Sequence, residues 1–412
     1  MIRRSLESLL LDHHFPSGKM AFVVGPRQVG KTTLARRILE VRGSPDLYFN
    51  WDDLTFRRGV SRAPYGFADA VTALPSSGKP LLVLDEIHKF PRWKSYLKGL
   101  WDTRSAAYDI LVTGSGRLDV HQRGGDSLLG RYHQYRLHPL SVREVLSPAV
   151  SPASSSPEST LDVLLSARGE PPRSAVTAFE SLFRWGGFPE VYLERNPASL
   201  RLWHADRKRL IVREDLRDLT RIQLVSHVEE MVELLAARAA GVLSYNALRE
   251  DLQVALDSVR LWTEALIRLY YIYLVRPYAK RIARAIRREP KVYLWDWSEI
   301  EDDGRRFENL TANHLLKWCH FTRDFGLEPL ELFYVRDKEK REVDFLLTKG
   351  GTPWLLVEAK LGASAPGPAL GYFGDRLGVR NRFLIVADLK KPGIAGDVRI
   401  LDATSFFAAL PV

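Results

Sequence analysis

The chemistry of this chain begins with Gly25, Pro26, Arg27, Gln28, Val29, Gly30, Lys31 and Thr32, which carry the paired glycines and closing Lys-Thr of a phosphate-cradling P-loop. In such a loop, successive backbone N–H groups and a helix N-terminus point at a β-phosphate. Lys31 then reaches the β/γ oxygens and the Thr32 hydroxyl ligates Mg²⁺, with Thr33 in the first helical turn behind it. The implied cofactors are ATP and Mg²⁺. The flanks suit the role, because residues 20–24 form an apolar, strand-like run and residues 33–39 have helix-forming composition. A bland glycine turn, the alternative, does not require that context.

Further on, Leu81-Leu82-Val83-Leu84 reads as a buried strand ending in Asp85 and Glu86, at the edge where open α/β sheets place their ligands. Asp85 would hold the Mg²⁺ shell, and Glu86 would polarise the attacking water as general base. A third strand, residues 109–116, ends in hydroxyls and glycines. In a P-loop ATPase the strand between the other two delivers a polar side chain to the γ-phosphate, which makes Thr113 or Ser115 a sensor. The competing reading is a capped turn. Arg131, closing Ser127-Leu128-Leu129-Gly130-Arg131, is either an arginine finger reaching a neighbouring copy's nucleotide, which implies a homo-oligomer, or a surface arginine.

A second constellation lies near the other end. In Glu342-Val343-Asp344-Phe345, strand alternation puts Glu342 and Asp344 on one face, and in Val357-Glu358-Ala359-Lys360 it puts Glu358 and Lys360 together. Asp344 and Glu358 could share a Mg²⁺ while Lys360 stabilises a hydroxide attacking a phosphodiester, with Glu308 as a further ligand. The alternative is an exposed acid and a Glu-x-Lys surface pair.

These residues need elements to hold them. The 412 residues suffice for two to four domains, and 45% hydrophobic residues suffice for their cores. Strand-like and helical stretches alternate over residues 20–141, as in a parallel α/β sheet. Residues 147–174 are rich in Ser and Pro and are expected to be a surface loop or insertion rather than packed structure. Helical patterning follows from residue 175, and mixed strands and helices follow Pro290. The single cysteine, Cys319, excludes an internal disulfide and is expected in a core. His13, His14 and His88 lack partners at metal-ligand spacing, so no zinc is assigned. No apolar run approaches the ~20 residues of a membrane span, and no signal peptide is indicated, so the expectation is a cytoplasmic chain without a membrane partner. Sixty Lys and Arg against fifty Asp and Glu give +10, which permits a polyanionic partner.

The segments GPRQVGKTTL, LLVLDEIHK, LVTGSGRL, SLLGR and HPLSVREV together resemble the prokaryotic P-loop ATPases of the AAA superfamily whose C-terminal half was long catalogued as a domain of unknown function. The motifs GGFPE, REDL, PKVY, FEN and EVDF extend the resemblance over nearly the whole chain. Two departures stand out. The Ser- and Pro-rich insertion is longer than usual, and Asp296-Trp297-Ser298 replaces an Asp-x-Gly turn. The Asp344 and Glu358-x-Lys360 pattern looks like the restriction-endonuclease-like fold, used both by nucleases and by domains that only bind DNA.

What this implies is an α/β chain with a P-loop AAA-type ATPase core (1–146), the Ser/Pro-rich insertion (147–174), a helical lid (175–225), a winged-helix-like middle domain (226–298) and a restriction-endonuclease-like C-terminal domain (299–412). The implied partner is DNA, duplex or branched as in a Holliday junction. The middle domain fits, since Ser244 can cap a short helix, a turn precedes a longer helix over residues 258–271, and two strands follow. Between those strands lie Arg276, Lys280, Arg281, Arg284, Arg287 and Arg288, a density suited to phosphate contacts. Two other outcomes stay open: a DNA-binding platform without cleavage, and a signalling or defence switch whose basic wing meets a protein.

Overall fold

The computed structural model describes residues 2–43, 45–71, 79–114, 116–118, 128–147, 150–167, 169–216, 225–279, 289–362, 365–389 and 391–412. The chain divides into two compact units, Arg3–His138 and Pro139–Val412. Ser115 and residues 280–288 of the basic run, which include Lys280, Arg281, Arg284, Arg287 and Arg288, lie outside the described residues.

The first unit is built on a five-stranded parallel sheet: β1 (Met20–Val24), β2 (Tyr48–Asn50), β3 (Leu81–Asp85), β4 (Asp109–Thr113) and β5 (Tyr132–Arg136). The order across the sheet is β2-β3-β4-β1-β5. Every residue of β1, β3 and β4 is buried, which is why these strands read as unbroken apolar runs rather than alternating ones. β4 pairs with both β1 and β3, Val23 and Asp85 each standing opposite Thr113. The strand expected between the P-loop strand and the Asp85 strand is therefore in that place.

The second unit holds an eight-stranded mixed sheet in the order β12-β13-β11-β10-β9-β8-β6-β7. Its strands are β6 (Ile272–Pro277), β7 (Lys291–Leu294), β8 (Leu330–Arg336), β9 (Glu342–Lys349), β10 (Thr352–Lys360), β11 (Asn381–Val386), β12 (Gly393–Ala395) and β13 (Val398–Asp402). The helix Asp303–Asp324 precedes β8, and the helix Pro368–Leu377 crosses from β10 to its parallel neighbour β11. Val343, Leu346, Leu356, Phe373 and Leu384 close a core under that crossover.

Three segments pack with the second unit. Residues 139–146 belong to the second unit, where Lys317 donates to Glu144 at 2.7 Å and the Val142 N–H donates to His314 at 3.2 Å. The helix Arg173–Trp185, expected in a lid on the ATPase core, is likewise part of the second unit, its Phe179 packing on Phe307 and Phe407. β6 pairs in parallel with β8, so the strands of the expected wing extend the C-terminal sheet. Long-range pairing carried no local signal for any of these.

The Ser- and Pro-rich stretch corrects an expectation too. It contains the helix Pro157–Ser166, with Pro157, Thr160 and Leu164 buried. Ser156 caps it by accepting the Ser159 N–H at 3.0 Å, and Pro157 follows in the first turn, where proline lacks only a donor that would have no intrahelical partner. The apolar residues behind a Ser-Pro start outweighed the composition.

The Asp296 turn shows how the missing glycine is replaced. Asp296 is fully buried and accepts from Trp203 Nε1 at 2.8 Å, from the Ser298 N–H at 3.1 Å and from the Ser298 hydroxyl at 2.6 Å, fixing the short turn Trp297–Glu299. Asp296→Ala orphans the indole and turn donors, so chemical denaturation should show the second unit destabilised by about 2 to 4 kcal/mol.

Candidate functional site

β1 hands the chain directly to the loop. Gly25 takes φ 154°, and a Cβ there would lie 2.4 Å from the Leu137 carbonyl oxygen, so no larger residue fits. Gln28 (φ 60°) and Gly30 (φ 100°) turn the backbone through left-handed conformations into the helix Lys31–Val41. Gly30 caps that helix without a side chain, the arrangement an anion completes. Val29 is buried, while Arg27, Gln28, Thr32 and Thr33 face outward to varying degrees and Pro26 is buried beneath the loop. Lys31 is 8% exposed and folds its ammonium onto the carbonyls of Gly25 (3.0 Å) and Pro26 (2.5 Å).

Asp85, 2% exposed, ends β3 and gathers three hydroxyls. Thr32 Oγ1 donates to its Oδ2 at 2.7 Å, Tyr48 on β2 donates to the same oxygen, and Thr113 on β4 donates to Oδ1. Burial, then the hydrogen bond to Asp85, pushes the Tyr48 hydroxyl up to about 12. Thr113 is thus committed to holding Asp85, below the surface. Glu86 sits beside it with φ 56°, a conformation costing a non-glycine residue roughly 1–3 kcal/mol and concentrated at functional sites. Its N–H donates to the Thr113 carbonyl at 3.0 Å, and its carboxylate lies 3.2 Å from Lys89 Nζ and 3.7 Å from His88 Nε2. These groups fit ATP with Mg²⁺: Thr32 and Asp85 would hold the cation, and the loop, the helix start and Lys31 would hold phosphate.

Sequence reasoning missed two participants. Arg4, 6% exposed, donates to the Val29 carbonyl at 2.7 Å and to the His138 carbonyl, clamping the loop from the N-terminal segment. Tyr48 was the other. Neither has a local motif.

Arg131 stands just before β5 and its carbonyl accepts the Met20 N–H at 3.0 Å, at the amino edge of the sheet. The P-loop leaves from the carboxyl edge, so a five-residue strand of about 16 Å separates them. Its guanidinium pairs with Asp102 at 2.8 Å on its own chain. Any contact with phosphate would have to be on another copy.

In the second unit, helices Val225–Ala237, Tyr245–Leu252 and Leu256–Arg268 precede the antiparallel pair β6 and β7, with Val242 bridging to Lys291. Ser244 caps the second helix, and Gln253 turns into the third with φ 54°. The outer face of that third helix is charge-balanced: Arg260 pairs with Asp257 at 3.4 Å and Arg268 with Glu264 at 3.9 Å. Arg276 on β6 is exposed. Tyr271, Tyr273, Tyr293 and Trp295 are buried and form core.

The C-terminal carboxylates do meet. The β9 and β10 register, with Val357 opposite Phe345, continues so that Glu358 faces Asp344, whose Oδ2 accepts the Ala359 N–H at 3.0 Å. Glu308 approaches from the helix Asp303–Asp324. At their centre is a residue outside the expected site. The Lys291 ammonium, on a residue 3% exposed, lies 2.6 Å from Glu342, 2.9 Å from Glu308 and 3.7 Å from Asp344. Tyr293 adds a 2.8 Å hydrogen bond to Glu308. Lys360 stays with Glu358 at 3.3 Å. Among the described residues, no group of three or more His, Cys, Asp or Glu side chains is arranged to hold a metal ion. The Lys291 ammonium thus sits among Glu308, Glu342 and Asp344, while Glu358 is paired with Lys360.

Burial, followed by the charge of Asp344, raises Glu308 to about 7, and burial also raises Glu358. Glu299, buried beside Tyr271, is likewise raised to about 7. Folded Glu308 keeps its proton to about 7, whereas the ordinary carboxyl value is 4.5, so over that window the folded state binds more protons and stability falls as pH rises. Glu308→Gln should flatten this slope in denaturation midpoints measured across that window. At the other site, Gly25→Ala should weaken a fluorescent ATP analogue by about tenfold or more, worth 1.4 kcal/mol or above, with the circular dichroism spectrum unchanged.

Residues 17–146 match the family model described as an AAA domain, while residues 176–298 and 303–403 match two models each described as a domain of unknown function. Uncharacterized proteins of Mycobacterium bovis and Mycobacterium tuberculosis are each 26% identical over 344 residues, covering 81% of this chain and 69% of theirs. The structure of the Aeropyrum pernix Orc1 protein in complex with DNA aligns over 76% of this chain and 93% of its own at 16% identity, with a TM-score of 0.29, too slight a likeness to bear on function. No helix among the described residues is long and apolar enough to cross a membrane. The P-loop and the Asp85 hydroxyl cage thus lie within the residues, 17–146, that are similar to an AAA domain.

Proposed function

We propose that this protein binds and hydrolyses ATP and that its partner is DNA. The observation carrying the first half is the Thr32 hydroxyl 2.7 Å from the Asp85 carboxylate, with Glu86 next in the chain. Thr32 and Asp85 would hold Mg²⁺, which would supply charge neutralisation at the phosphates. Lys31 and the loop N–H groups orient the β/γ-phosphates, and Glu86 polarises the attacking water. Lys89 and His88 beside Glu86 fix its side chain. The sensor role belongs to Thr113 indirectly, since its hydroxyl acts on Asp85, with Ser115 left as the residue that could meet the γ-phosphate itself.

Support for DNA comes from the helix pair ending in β6 and β7, read as a winged helix, and from the arginines and lysine between those strands. The balanced outer face of the helix Leu256–Arg268 favours phosphate contact by Arg276 and the basic run over base reading by the helix. The C-terminal sheet, with its helix, three strands, crossover helix and parallel fourth strand, supports the restriction-endonuclease-like reading. The Lys291 ammonium among its carboxylates favours a second form of that reading, in which the domain grips DNA, branched DNA such as a Holliday junction included, without cutting it. Arg131, at the sheet edge remote from its own phosphates, suits a homo-oligomer in which it serves a neighbour.

Glu86→Gln should retain ATP binding while lowering turnover by about 10² or more; retained wild-type turnover removes Glu86 from the role. Gel shifts with four-way junction, fork, duplex and single strand, run alongside ATPase assays, should show binding that weakens linearly in log salt and hydrolysis that rises with the preferred DNA. A flat response in both overturns the DNA reading.

A further inference from the structure

Lys291 comes from β7, at the edge of the sheet, and reaches carboxylates on β9 and on the helix Asp303–Asp324. We propose that Lys291 is the resident cation of this cluster, that its ammonium excludes a divalent metal from the place between Glu308, Glu342 and Asp344, and that removing its charge opens that place to Mn²⁺ or Mg²⁺. This rests on the reading of the C-terminal sheet as nuclease-like, and it assigns the reason that such a sheet would bind DNA without cutting it.

The geometry argues for exclusion. A carboxylate-bound Mg²⁺ sits about 2.0–2.1 Å from its oxygens. The ammonium is already 2.6 Å and 2.9 Å from two of those carboxylates, so both cannot be accommodated. Withdrawing Lys291 would leave an ammonium with 3% exposure in need of new partners, at the cost of breaking a buried pair. The charge balance argues the same way. Glu308, Glu342, Asp344 and Glu358 face Lys291 and Lys360, and Arg336 adds a third cation 3.4 Å from Glu342. Four carboxylates against three cations leave at most one negative charge in excess, which is little to draw a dication. The second oxygen of Glu358 is buried and has no hydrogen-bond partner. Tyr293 and Lys291 share the Glu308 oxygen, so Glu308 is held toward the ammonium.

The test is a Mn²⁺ titration of the full chain without nucleotide, followed by the electron paramagnetic resonance of free Mn²⁺. Wild type and Asp344→Asn should take up equal amounts. Lys291→Met should take up one further Mn²⁺ per chain, and Lys291→Met with Asp344→Asn should lose it; Lys291→Gln stands in if the methionine variant does not fold. The proposal is overturned if wild type takes up a Mn²⁺ that Asp344→Asn abolishes, or if a folded Lys291 variant gains none. The wild-type comparison decides on its own should neither variant fold. No DNA is present in these arms, so failure of the DNA reading in gel shifts and failure of this proposal are separate results.

Discussion

A carboxylate at the end of a buried strand needs donors, and in the first unit the way Asp85 obtains them organises everything around it. Three hydroxyls converge from three elements: Thr32 from the P-loop helix, Tyr48 from β2 and Thr113 from β4. This convergence requires β3 to be flanked by β2 and β4, and it requires β1 to lie one strand further so that the loop can bring Thr32 alongside. Strand order and cation site are the same constraint seen at two scales. Glu86 inherits its position from that cage, because its N–H is tied to Thr113 and its backbone is bent into the left-handed region.

The second unit meets the same problem with the opposite chemistry. Its carboxylates on β9, β10 and the helix Asp303–Asp324 are answered chiefly by cations, Lys291 above all, with the Tyr293 hydroxyl added on Glu308. Hydroxyls leave a carboxylate able to accept a metal in exchange for a weak neutral donor. An ammonium supplies a full charge and resists exchange. Two acidic sites with similar residue types are thereby given different readiness for a divalent ion, which is the physical basis for the different roles proposed for them.

Where the sequence was read correctly, the determinants were close together in the chain. The P-loop needs its glycines, lysine and threonine within one turn, and Asp85 with Glu86 needs only a strand before it. Alternation put Glu342 and Asp344 on one face of β9 and Glu358 with Lys360 on β10, and the strand register, with Val357 opposite Phe345, then brought the two pairs near each other. Where the reading missed, a local composition was overruled or a partner came from far away. Ser156 and Pro157 began a helix inside a stretch whose composition suggested loop. β6 joined β8 across the boundary expected after residue 298 because backbone pairing is blind to sequence distance.

The sequence by itself determined the nucleotide loop, the carboxylates at two strand ends and the alternation that gives the C-terminal sheet an acidic face, since each follows from backbone periodicity over a few residues. Only the tertiary structure decided what each carboxylate touches. Tyr48 and Arg4 enter the nucleotide site, Thr113 turns to Asp85, and Lys291 enters the acidic face from β7, because burial forces charges to find partners wherever the fold brings them. For a buried charge, the identity of that partner sets the chemistry.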